Sequence, residues 1–403
     1  MSHVNKNELT SPARIIEVCV TFLKLGVSSF GGPIAHLGYF HHECIIKRKW
    51  MSEKAYADLV AMCQFLPGPA SSQVAFILGL VRAGPFGAAA AWCAFTLPSA
   101  FILMLIASGI DLITTETSQA IVHGLKLAAI GIVAQALWMM ARQFCSAYQK
   151  ALTAISVFLG LSLFPSTSGQ VYAICIGACA GLIYTNKEQI TKRDHMPPMI
   201  SKRSGYMCIG LFITLLIFTY GTSEIDNLSA WLIIFNAFYK AGALVFGGGH
   251  VVLPLLETDI VQQGWMNKDL FYAGYGATQA MPGPLFTFAA YLGALINIGP
   301  QGMIGALYAL IIIFIPGLLL ALGVLPFWQS LNTHMALRRM TQGIQAAVVG
   351  ILAYTFYTSL WQSTLKMPLD YALALTFSIL LIYWRIAPWI IVSLSLIICI
   401  INP

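Results

Sequence analysis

The chain is predicted to be an all-α, polytopic membrane protein made of two antiparallel (inverted) repeats, with broken or re-entrant helices at matched positions. Three observations carry that expectation. The composition is unlike that of a soluble globule: of 403 residues, 58% are hydrophobic and 9% charged, against roughly 25% charged in soluble domains. A set of motifs recurs, in order, about 216 residues further along. Glycine and proline interrupt the apolar segments at equivalent places in both copies, which is the sequence mark of many secondary transporters.

The first copy opens with Phe22-Leu23-Lys24-Leu25-Gly26 and Phe30-Gly31-Gly32-Pro33; the second with Phe238-Tyr239-Lys240-Ala241-Gly242 and Phe246-Gly247-Gly248-Gly249. Trp50-Met51 precedes Gln64-Phe65-Leu66-Pro67-Gly68-Pro69, as Trp265-Met266 precedes Gln279-Ala280-Met281-Pro282-Gly283-Pro284. Gly84-Pro85 answers Gly299-Pro300, and Gly124 to Gly131 answers Gly343 to Gly350. The expected organisation is a first repeat over 1–186, a basic linker and a connecting helix over 187–228, and a second repeat over 229–403.

Segments of about 17–25 apolar residues can cross a bilayer. Uninterrupted ones lie near 84–110, 120–142, 149–165, 168–186, 206–222, 299–324, 341–361, 369–384 and 386–402. Four others are interrupted: 14–42 and 231–256 by the glycine motifs, 55–83 and 270–297 by Pro-Gly-Pro. Two missing amide donors and two proline rings forbid a continuous helix there. Each arm of 55–83 would be roughly 18–20 Å long, enough to reach the midplane and not to cross.

Charge supports hairpins over full crossings. If the four broken segments return to the side they came from, and Lys47, Arg48, Lys49 and Lys54 are cytoplasmic, most other Lys and Arg residues also fall inside, as positive-inside sorting requires. Asp111 with Glu116, Glu224 with Asp226, and Glu257 with Asp259 fall outside, and Lys366 is the exception. An odd number of spans then separates the copies and inverts them. The expected location is the inner (plasma) membrane, with the N-terminus cytoplasmic and the C-terminus outside. Net charge +7 is read as this topological signal, without nucleic-acid binding. Met1 to Ala13 lacks the pattern of a cleavable signal, and Trp residues at span ends read as interfacial anchors.

Nine cysteines are scattered through apolar segments and no CxxC, HExxH or GxxxxGK[ST] occurs. Buried small hydrophobes explain them better than a metal site. No cofactor, catalytic group or ATP-driven step is expected, so the chain reads as a carrier and not an enzyme.

The candidate site is where the breaks meet. Glycine lets a backbone expose successive N–H groups to a ligand, and a half-helix starting there turns free donors and its positive dipole end inward. Gly31, Gly32, Pro33, Pro67, Gly68 and Pro69, with Gly247, Gly248, Gly249, Pro282, Gly283 and Pro284, are the candidates; close packing through small residues is the competing reading. Lys24 and Lys240 hold the same place in each copy and either attract an anion or snorkel to water. Gln64 and Gln279 either donate to a ligand or cap the broken helices. His36 and His250 follow the breaks, and a structural role stands against proton coupling or ligand contact. Glu43 is expected to pair with Lys47 or its basic neighbours.

Ser29 to Phe40 (SFGGPIAHLGYF) and Gln64 to Gln73 (QFLPGPASSQ), with Phe246 to Pro254 in the second copy and Phe95 to Ala100, closely resemble the signatures of the chromate ion transporter family. Two copies in one chain resemble its long, fused members. The resemblance implies export of chromate from the cytoplasm, with sulfate as an analogue, and hence a role in chromate resistance. Beside the oxyanion it leaves room for a counter-ion, lipid contact and a homodimer. A dianion leaving a negative interior gains roughly 4.6 kcal/mol at 100 mV, which favours export without a coupled ion. An anion channel of the same architecture, or a carrier of another anion, is the alternative; an enzyme or scaffold leaves the matched breaks unexplained.

Overall fold

The computed structural model describes residues 11–110, 116–165, 169–184, 200–222 and 228–401. Most of the 187–205 linker, and Asp111, Glu224 and Asp226, lie outside them. Among the described residues all regular structure is helical.

The first repeat begins with α1 (Pro12–Ser28), whose leading proline suits the first turn of a helix. Ser29 is extended, and Gly31 and Gly32 take φ of +100° and +75°, values that L side chains adopt only under strain. α2 (Gly32–Phe40) then runs into a π-helical turn, His41–Lys47. The chain has come back: Arg48 bonds Glu17 at 3.2 Å, and the Phe22 ring meets Phe40 at 5.6 Å and Trp50 at 6.2 Å. α3 (Glu53–Phe65) leads to the first Pro-Gly-Pro. α4 (Ala70–Ile110) is bent at Ala83 and Gly84, and its first arm ends with Arg82 on Glu17 at 2.6 Å. Both broken segments are therefore hairpins whose open ends share one carboxylate. This is the near end of the molecule. Glu43 binds Lys47 and Arg48 there, the pairing its position predicts.

α5 (Glu116–Phe144), α6 (Tyr148–Leu163) and α7 (Gly169–Ile183) complete the first repeat, and α8 (Lys202–Thr222) leads to the second. α8 has 21 residues, about 31 Å of helix. At its start Gly205 and Tyr206 pack on Pro326 and Phe327, next to Trp328, whose indole donates to Asp58 of α3. At its finish Thr222 accepts from Asn236 of α9 (Ala230–Leu244). The hairpins of the two repeats thus start at opposite ends, and the repeats are inverted, as the charge pattern requires.

At this far end the second repeat repeats the design. After Gly247 and Gly248 (φ +80° and +138°) come a 3-10 turn (Gly249–Val251), α10 (Val252–Leu256) and a π-helical turn, Glu257–Val261. α11 (Lys268–Ala280) and α12 (Phe288–Leu295) flank the second Pro-Gly-Pro. The Asn297 amide donates to the Trp265 carbonyl at 3.0 Å, closing that hairpin. α13 (Gly302–Val324), α14 (Trp328–Thr333), α15 (Met335–Thr355), a third π-helical turn (Phe356–Trp361), α16 (Gln362–Thr364), α17 (Pro368–Ile382) and α18 (Pro388–Ile401) follow.

The last two helices of each repeat pack on the other repeat. Glycines 177 and 181 of α7 lie against Gly343 and Arg339 of α15, while Gly124 and Gly131 of α5 lie against Ser395 of α18 and Phe377 of α17. These four helices are a correction to the expected spans. α6, α7, α17 and α18 have 16, 15, 15 and 14 residues, about 21–24 Å, short of a 30 Å core. Among the described residues five helices are long and apolar enough to cross. Because the short helices come in pairs, a full crossing and a return by each pair leave the chain on the same side.

A cavity where the four breaks meet

The two repeats are joined at their breaks by a reciprocal pair of backbone hydrogen bonds. Gly68, in the first Pro-Gly-Pro, donates to the Val245 carbonyl at 2.7 Å; Gly283, in the second, donates to the Ser29 carbonyl at 3.0 Å. Val245 and Ser29 each precede the Phe-Gly-Gly of their own repeat. Glycine is required at 68, where φ is +111° and a Cβ would sit 2.9 Å from Gly317 Cα; at Gly283 it would sit 2.7 Å from Ser99 Oγ. Gln73 fixes the first turn by donating to the carbonyls of Pro67 and Gly317, both at 2.9 Å.

A cavity of about 1020 Å³ opens over this junction. Gly31, Gly32, Pro33, Gln64, Gly68, Gly247, Gly248, Gly249, Gln279 and Gly283 line it. So do the residues that begin the four returning arms: Gly32, Ala70, Gly249 and Leu285. Such ends carry backbone donors without a helical partner and a positive dipole end. Gln279 Nε2 is buried without a hydrogen-bond partner among the described residues, a donor available to a bound acceptor. Among the described residues no Asp or Glu lines the cavity, while Lys150, Arg338 and Arg385 do. An anion is the ligand such walls suit.

Other candidates lie outside the wall. Pro67, Pro69, Pro282 and Pro284 shape the turns beneath it. Lys24 is on the exposed face of α1, and Lys240 is bound to Asp259 at 2.7 Å. His36 is fully buried: Nε2 donates to the Ser29 carbonyl at 3.2 Å, and Nδ1 accepts from Ser71 Oγ at 3.4 Å. It holds the first glycine break to the first turn of α4, the structural role. His250 does line the cavity, with Nδ1 on Tyr275 Oη at 2.7 Å.

The repeated motifs do not include the polar groups that flank them. Gln135 and Gln143 of α5, and Thr341 and Gln345 of α15, also face the cavity. For Gln135 and Gln345 the signal is an amide between apolar neighbours, whereas Gln143 and Thr341 stand beside Arg142 and Gln342. Lys126 of α5, also missed, is nearly fully buried and bound to Asp269 of α11 at 2.5 Å.

The family profile described as Chromate transporter matches residues 16–182 and 232–400. A probable chromate transport protein of Synechococcus elongatus is 28% identical over 82% of this chain and 81% of its own length. Chromate transport proteins of Pseudomonas aeruginosa (25%, 85% and 80%) and Cupriavidus metallidurans (26%, 94% and 92%) are also similar. No solved structure matches. The duplicated motifs that meet at the cavity are those the family profile spans twice, and the chain belongs to the chromate transporter family.

Proposed function

We propose that the protein exports chromate, a tetrahedral dianion for which sulfate is an analogue, across the inner membrane by alternating access. The single observation that supports this most is the carboxylate-free cavity onto which four half-helix starts open above the Gly68–Val245 and Gly283–Ser29 junction. Each start offers typically 0.3–1 kcal/mol to an anion, and their convergence suits two negative charges. The near end, where Lys150 and Arg338 stand, is read as cytoplasmic.

The inequality of the two ends favours a carrier. At the far end α11 lies against α5: a side chain at Gly276 would collide with the Leu125 carbonyl, and Lys126 binds Asp269. The corresponding residues at the near end are Ala61 of α3 and Gln345 of α15, and both line the cavity. Exchanging the two arrangements closes the near seam, opens the far one, and presents the same junction to the other side.

The test is uptake of radiolabelled chromate into inverted vesicles, with and without an inside-positive potential and with sulfate as competitor. Saturable, potential-stimulated uptake blocked by sulfate is expected. Conductance linear in concentration, without counterflow, would assign a channel, and no chromate flux in well-inserted protein would remove the substrate.

A further inference from the structure

Each repeat places a glutamate in the π-helical turn of its first hairpin, and the two glutamates have different surroundings. In both, an amide five residues on donates to the glutamate carbonyl at 3.2 Å: Arg48 to Glu43, and Gln262 to Glu257. Glu43 is neutralised by Lys47 and Arg48. Counting back from the matched Trp50 and Trp265, the residues in their places are Gln262 and Gln263. Glu257, 4% exposed, has no ion-pair partner among the described residues.

Glu257 lines a second cavity, of about 400 Å³, with Gln170, Thr258, Tyr354 and Ser359. This cavity and the anion cavity lie at opposite ends of the same helices. On α6, Lys150 faces the first and Leu161 the second; on α15, Arg338 faces the first and Tyr354 the second. The groups around the carboxyl are few. α11 supplies Tyr272 and the more distant Lys268, the third π-helical turn supplies Ser359, and Asp259 on its own turn is held by Lys240. Tyr272 Oη is buried without a hydrogen-bond partner among the described residues, and Ser359 lines the same cavity as the carboxyl; a hydroxyl can donate to the charged form of a carboxyl or accept from its protonated form. A carboxylate buried to this degree without a contact ion pair is costly to keep charged, which makes Glu257 a candidate for reversible protonation.

We infer that Glu257 is a proton-binding site, loaded from the far side, whose proton moves inward as the anion moves out. This rests on the export reading above. The proton forms an O–H bond with a Glu257 oxygen at the second cavity. That bond breaks on the opposite side after the repeats exchange. Closing the far cavity over an unpaired carboxylate is opposed, and protonation removes the opposition, so the protonated form is the one that completes the cycle. One proton inward and one dianion outward move three charges per turnover.

The experiment uses the full chain in inverted vesicles, whose lumen corresponds to the far side, with the membrane potential clamped at zero and a pH dye in the lumen. Sulfate is run beside chromate, because sulfate carries no proton near neutral pH. An acidic lumen, by two pH units, is expected to raise uptake of both anions several-fold, and lumenal pH should climb as they enter. Glu257→Gln should keep anion–anion counterflow, which moves no proton, and lose the response to the pH gradient. Glu257→Asp should keep the response with a displaced pH midpoint, which serves also if the Gln variant fails to insert. An undiminished gradient response in Glu257→Gln, or wild-type flux with no lumenal pH change, overturns the assignment. If neither anion moves, it is the export reading that falls. The proton site is then decided by an infrared carboxyl band that titrates in the wild type: its absence from Glu257→Gln supports the assignment, and its persistence refutes it.

Discussion

The amide of Gly68 and the carbonyl of Val245, 177 positions apart in the chain, are hydrogen-bonded at 2.7 Å, and Gly283 and Ser29 make the same bond in reverse. Each repeat's proline turn is thus anchored on the other repeat's glycine break. The junction is a shared element to which each half contributes one donor and one acceptor, and under the proposed alternating access it would be the fulcrum of the exchange.

Substituting alanine for Gly68 is expected to leave insertion intact and lower chromate flux about tenfold. An L side chain in the left-handed region costs about 1–2 kcal/mol, tenfold is about 1.4 kcal/mol, and the Cβ also presses on Gly317. Initial rates normalised to inserted protein check this, and unchanged rates in both Gly68→Ala and Gly283→Ala would remove the junction from the transport path.

Asp269→Asn should loosen the far seam, because it leaves the buried Lys126 ammonium without its countercharge. A cysteine at Leu125, a position now 5% exposed, should be alkylated at least tenfold faster in the Asp269→Asn background. Equal rates would show that the ion pair does not hold the seam.

Gln279→Leu is expected to raise the KM for the anion roughly tenfold with a smaller change in kcat, since the amide's free donor is lost. Gln279→Glu should be worse than Gln279→Leu, because it places a carboxylate in a cavity whose described lining has none. If Glu and Leu behave alike, the amide faces no anion.

Glu17 binds Arg48 and Arg82 and accepts from the Trp50 indole. Glu17→Gln should therefore destabilise the folded protein by about 1–3 kcal/mol, read by thermal denaturation in detergent. Glu53→Gln, at an exposed position, should be neutral. A neutral Glu17→Gln would mean that hairpin closure does not depend on the carboxylate.

The hairpins were legible because proline chemistry and charge sorting are local rules: Pro67-Gly68-Pro69 cannot continue a helix, and Arg48 sorts to one side with most of the other Lys and Arg residues only if the broken segments return. The inversion was legible for the same reason. The crossed hydrogen bonds were not, since nothing local says that Gly68 meets Val245 and not Gly248. Nor was the part of the cavity wall that α5 and α15 supply, because Gln135 and Gln345 are single polar residues between apolar neighbours and periodicity does not say which neighbour they face. The repeat pattern made Lys24 and Lys240 look equivalent; their surroundings separate them, with Asp259 beside only one. The short α6, α7, α17 and α18 escaped because flanking apolar residues count toward hydropathy whether or not they are helical.

The swapping of α6 and α7 onto α15 has a consequence for how the protein is made. The glycine face of α7 is finished at Gly181, yet the surface it needs, at Gly343, emerges about 160 residues later. At 5–20 residues per second that delay is on the order of ten seconds or more. Until then the first half stands in the bilayer with a seam of small residues open to lipid or to any passing helix. Assembly of this seam must wait until residues 339–347 have emerged, and a chain truncated before residue 339 would lack the surface that Gly177 and Gly181 require, leaving it a substrate for membrane quality control.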